Sequence, residues 1–241
     1  MTSALKTAIE SLYSTFSHYP RNLTLDGCPC CATGEHRAKF HVKTLRALKA
    51  EDLAPYVMKA VLSWGKVEDF KHFLPRLLEL IAATGLAYGY EVVLGKLEYA
   101  KWNEWEETEK DAIRAFLLAW WAESLTNNET WGLLQIKDLY PFFGDVAPFL
   151  ERWSIDVNDH SFRNLIHFIL SNYHDLVERK SHFKEFAPAS LNKLLSWILA
   201  KKELLEQGFF HFESIDPVFA KEISDALYLL DWVPFLESKQ R

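Results

Sequence analysis

The chain is 241 residues long, 49% apolar and 25% charged, with nine Trp, nine Tyr and seventeen Phe, a composition that can build a large buried core and excludes intrinsic disorder. Its net charge of −6 comes entirely from one half: residues 1–120 carry fifteen Lys/Arg and fifteen Asp/Glu, and residues 121–241 carry twelve against eighteen. Such a chain repels phosphate backbones, which weighs against general nucleic-acid binding and suits a partner with a basic surface.

The chain opens on an amphipathic stretch instead of the apolar run of a signal peptide, and no stretch of about eighteen apolar residues predicts a membrane span. The three cysteines all lie within residues 28–31. They do not form a secreted disulfide framework, so a reducing cytoplasm is the expected compartment.

Helical periodicity recurs from end to end, and strand alternation appears nowhere. The first predicted helix covers 2–17, with Leu5, Ile9, Leu12 and Phe16 on its apolar stripe and Pro20 as its stop. A loop over 21–33 follows, then a short turn of helix over 34–41. The next helix spans 50–64, with Glu51 and Asp52 at its positive end and Gly65 as a left-handed C-cap. A helix over 67–84 is expected to kink or break near Pro75. Helices over 90–102 and 107–125 come next, then one over 130–140 with Pro141 and Gly144 as stops, and a short one over 146–153. The clearest period lies in 159–178, where Phe162, Leu165, Ile166, Ile169, Tyr173 and Leu176 share a face. A helix over 188–206, ended by Gly208, precedes a last one over 217–230 that starts at Asp216-Pro217. This reads as an all-α fold of about nine to eleven helices in one domain over 1–241. Short loops favour an irregular array of antiparallel helical hairpins (HEAT-like) or a compact orthogonal helix bundle, and no repeat of fixed period is present.

The strongest local signal is Cys28-Pro29-Cys30-Cys31 followed by His36 and His41. Read through Cys28 and Cys31, with Cys30 as an alternative ligand, the spacing C-x2-C-x4-H-x4-H is that of a zinc knuckle. Thiolate and imidazole suit tetrahedral zinc, and a polar loop gains order from such a clip. The same residues also read as ordinary packing, or, for Cys28 and Cys31, as a redox pair without the expected βαβ setting. Residues 37–49 are basic, which motivates nucleic-acid binding through 21–49 as a further alternative.

Other clusters carry less. His160, His167 and His174 share one side of the 159–178 helix at seven-residue spacing, too far apart to bind one metal. They read as a solvated stripe or a pH-sensitive interface. Glu68, Asp69 and His72 form one imperfect copy of a helix-bundle metal motif, and acids at a helix start explain two of the three. Trp102, Glu104, Trp105, Glu106 and Glu107 form an acidic, aromatic segment able to receive a basic partner, beside a helix cap read at Thr108 and Asp111. Gly89 to Gly95-Lys96 fails as a phosphate loop: the glycine spacing is wrong, and Leu97 stands where Ser or Thr would hold magnesium.

The run Gly27-Cys28-Pro29-Cys30-Cys31, Leu45-Arg46, Asp52-Leu53, Trp64-Gly65, Asp69 to Leu80 and Phe116 to Trp121 resembles an uncharacterised family of bacterial helical proteins over residues 20–125. The resemblance implies a bacterial cytoplasmic protein and brings no established activity or catalytic residue. With no catalytic motif in the chain, the expected function is a non-catalytic helical binder of a basic protein, of the kind an immunity protein is for a toxin domain. The alternative is a zinc-dependent enzyme or sensor built on the cysteine segment.

Overall fold

A computed structural model describes residues 1–22, 40, 42–83, 89–127 and 136–239, with side chains described for all of these except 127 and 232–239. The protein is all-α. Among the described residues there are eleven α-helices, three short 3-10 turns and no strand, only an isolated bridge between Ala60 and Trp64. None of these helices is long and apolar enough to cross a membrane. The chain divides into two compact units, Met1–Trp120 and Trp121–Arg241.

In the first unit, helix α1 (Ser3–Thr15) is capped by the Thr2 hydroxyl, which accepts from Leu5 N at 3.3 Å. It buries Leu5, Ala8, Ile9 and Leu12, and it packs against α3 (Val67–Ala83). Helix α2 (Ala50–Lys59) is closed at its start by Asp52, whose carboxylate accepts from Lys49 N at 2.9 Å. It ends five residues before the expected position. Val61 takes φ 65, in the left-handed region, so the chain turns and Lys59 O accepts the N–H groups of Leu62, Ser63 and Trp64 at 3.1, 3.0 and 3.2 Å. Trp64 still enters the core, where Phe40, Tyr56, Trp64 and Phe73 meet with ring centroids 4.8–6.0 Å apart. Of the kink or break expected near Pro75, the break does not occur: α3 is one helix, and buried Pro75 lies inside it. Helix α4 (Tyr90–Tyr99) and the start of α5 (Glu107–Asn127) complete this unit.

The second unit holds α6 (Ile136–Phe143), α7 (Ala147–Leu150), α8 (His160–Val177), α9 (Pro188–Leu199), α10 (Lys202–Phe212) and α11 (Pro217–Lys239). Asp159 caps α8 by accepting from Ser161 N at 2.7 Å. Gly144, at φ 67, follows the end of α6 as expected, although Pro141 is inside that helix. The single helix expected over 188–206 is two, α9 and α10, parted at Ala200 and Lys201. Gly208 does not end either of them. It sits inside α10 because a Cβ there would lie 2.2 Å from Cζ of Phe162 on α8. Phe162, Phe212 and Phe219 then meet across α8, α10 and α11 with ring centroids 4.9–6.3 Å apart, Phe219 edge-on to the other two.

Gly208→Ala tests this contact. Alanine is the better helix former by about 1 kcal/mol, but the methyl group must displace a fully buried ring, at a cost of about 1–3 kcal/mol. Chemical denaturation should show a net loss of stability, and Phe162→Leu in the same background should restore part of it.

Candidate interaction surface

Cys28, Cys30, Cys31, His36 and His41 lie outside the described residues. Among the described residues, no three His, Cys, Asp or Glu side chains are grouped to hold a metal ion. Asp69 serves as a cap, accepting from Lys66 N at 2.7 Å, and His72 Nδ1 is 2.9 Å from Tyr19 O.

The segment 102–107 is only partly a surface. Trp105 is a core residue: its indole N–H donates to Ala100 O at 2.9 Å, and its ring lies 4.2 Å from the Lys71 ammonium. Trp102 is half-buried beneath the Arg114 guanidinium. Glu104 is exposed and pairs with Lys101 at 3.6 Å. Glu107 pairs with Lys110 at 2.7 Å and Arg114 at 2.8 Å, and these hydrogen bonds hold its carboxyl below the usual range. The acids here are therefore largely answered by their own neighbours. The cap is also not the one expected from Thr108 and Asp111. Helix α5 starts at Glu107, and buried Glu109 reaches back to accept from Glu106 N at 3.3 Å, the reciprocal half of a capping box.

Glu109 does more than cap. One of its oxygens accepts from Tyr19 Oη at 2.5 Å, and the other from Lys71 Nζ at 2.7 Å. Lys71 also donates to Tyr19 Oη at 2.9 Å. Burial pulls the Lys71 ammonium down, but hydrogen bonds to Glu109 and Tyr19 outweigh it and raise its pKa above the ordinary lysine value. This closed triad ties the segment that follows α1 to α3 and α5. A pocket of about 330 Å³ lies beside it, lined in part by Phe16, Arg46, His72 and Pro75. Arg46 is already engaged there, by Glu10 at 2.9 and 2.6 Å and by the Tyr13 ring.

The second unit presents a different kind of surface, one the sequence reading passed over. Helix α10 turns Leu205, Gly208 and Phe212 inward. Its opposite face carries Glu203, Glu206, Phe210 and Glu213, spaced three, four and three residues apart and all exposed. Phe210 is 72% exposed, and Ile215 and Val218 in the following turn are 67% and 75% exposed. No basic side chain among the described residues pairs with these three glutamates. The nearby cations are committed elsewhere: Lys202 to Asp231 at 2.6 Å, Lys201 to the Trp197 ring and Arg163 to Asp216 at 2.8 Å. The signal was present in the sequence as the 203, 206, 210, 213 spacing, but it pointed outward only once Gly208 was known to face Phe162.

Of the three spaced histidines, His174 is exposed and pairs with Glu178 at 3.5 Å, while His167 is half-buried with Nε2 3.2 Å from Glu222 on α11. His167 thus belongs to a helix contact, and the three do not form one uniform stripe.

Lys71→Met strands a buried carboxylate and should destabilise the protein by about 3–5 kcal/mol. The double variant Lys71→Met/Glu109→Leu should regain more than half of that in urea unfolding, because the paired desolvation cost goes with the pair. Burial holds the His72 imidazole below the ordinary histidine pKa. The unfolded chain therefore binds more protons, and the stability His72 contributes above the ordinary histidine range is lost as pH falls through it to the depressed value. His72→Phe should flatten the fall in thermal midpoint between about pH 7 and pH 5.

No family model, curated protein or solved structure matches this chain.

Proposed function

We propose that this chain is a non-catalytic binding protein whose α10 face receives a basic protein partner, as an immunity protein receives a toxin domain. The observation that supports this reading is the exposed Phe210 set among Glu203, Glu206 and Glu213, on the unit that carries the whole negative excess of the chain. Buried interface anchors are typically aromatic side chains that fill an apolar pocket, inside a rim that excludes water. Unpaired carboxylates around such an anchor speed encounter with a cationic surface and reject acidic competitors. Ile215 and Val218 extend the apolar ground beside it. A bacterial cytoplasmic setting, and kinship with the helical family that residues 20–125 resemble, belong to the same proposal.

The reading predicts a stoichiometric complex with a basic protein from the native host. Phe210→Ala should weaken it about tenfold to thirtyfold, the loss expected of a buried aromatic anchor. The triple variant Glu203→Gln/Glu206→Gln/Glu213→Gln should mainly slow association and lower its dependence on salt. Surface plasmon resonance at several ionic strengths measures both. A complex indifferent to Phe210→Ala and to the triple variant, or the absence of any stoichiometric basic partner, overturns the reading.

A further inference from the structure

Two lysines in the first unit are buried, and they are treated in opposite ways. Lys71, 8% exposed, is met by Glu109 and Tyr19. Lys96, 5% exposed, donates to Met58 O at 3.0 Å, and among the described residues no carboxylate pairs with it. Burial and the neighbouring charge of Lys59 both push the Lys96 ammonium below its ordinary pKa. Lys59 is exposed and likewise has no acidic partner among the described residues. A cation taken out of water without a carboxylate beside it is unfavourable in ordinary proteins. Met58 and Lys59 are the last residues of α2, whose C-terminal end carries about half a negative charge. That half-charge offsets one ammonium in part, and here two share it.

The ground around these ammoniums is unusual in two further respects. Met58, Leu62 and Tyr99 are 40%, 57% and 64% exposed, and the Tyr99 ring lies 5.4 Å from Lys96 Nζ. The turn that follows Met58 is held by Val61 in the left-handed region, a strained conformation for a β-branched residue. Two cations without a carboxylate partner among the described residues, bordered by open apolar side chains, match an anion attached to an apolar body. We infer that Lys59 and Lys96 bind the phosphate group of a small phosphate monoester whose apolar or aromatic part rests against Met58, Leu62 and Tyr99. Two ammoniums answer the dianion, and the ligand stays outside the α10 face, so this inference stands or falls separately from the proposed partner.

The test uses the whole chain labelled with carbon-13 at the lysine side chains, titrated with inorganic phosphate and with phenyl phosphate at constant ionic strength. Saturable shifts of the Lys59 and Lys96 Cε signals are expected from both, with phenyl phosphate bound severalfold more tightly. Lys96→Met should abolish the response. Lys59→Met, at an exposed site that leaves the core intact, should weaken it at least about fivefold and does not depend on the fate of the first variant. If sodium chloride at the same ionic strength gives the same shifts, or if neither variant alters the titration, Lys96 is only a cap on α2 and the inference fails. Equal affinity for the two probes removes the apolar part of the site and overturns the ligand class.

Discussion

The cores of both units are built on large aromatic side chains, and three buried tryptophans satisfy their polar edges on the backbone. The indole N–H of Trp105 donates to Ala100 O, that of Trp121 to Phe149 O and that of Trp153 to Ser161 O, at 2.9, 3.1 and 3.2 Å. Ala100 lies at the C-terminal end of α4, where the helical ladder leaves carbonyl oxygens to spare, Phe149 lies in the short helix α7, and Ser161 lies in the first turn of α8. The connections between helices are thereby tied to the core. Around these rings the packing is mostly edge-on, as with Trp121 against Trp153 at 88° and Tyr90 against Trp120 at 89°.

Charge is handled differently in the two units. In the first, acids and bases largely answer one another: Glu109 with Lys71, Glu10 with Arg46, Glu79 with Arg76, and Glu107 with Lys110 and Arg114. Lys96 and Lys59 differ from these groups in having no acidic partner among the described residues. In the second unit Arg163 pairs with Asp216 and Lys202 with Asp231, while no base among the described residues forms an ion pair with the α10 glutamates. Exposed pairs of this kind add little stability. Their consequence is on the shape of the field that a partner meets.

Both surfaces depend on backbone features far from an ideal helix. The left-handed turn at Val61 ends α2 early and places the Met58 carbonyl where Lys96 reaches it. Gly208 lets α10 approach Phe162, and that approach fixes the rotation of α10 about its axis. With Leu205 and Phe212 turned inward, Phe210 has no place in the core.

Apolar residues recurring at three and four positions were enough to place nearly all the helices and to exclude strands, because that period is set by local backbone geometry. Caps such as Asp159 and the left-handed Gly144 were legible for the same reason. What could not be read locally was decided by contacts distant in sequence. Pro75 is carried inside a helix held by packing on both sides, Gly208 is a contact and not a stop, and Trp105 is core while Phe210 is surface. A tryptophan and a phenylalanine look equally apolar in a sequence. Only the neighbours that tertiary packing brings to each one determine which is buried and which is left for a partner.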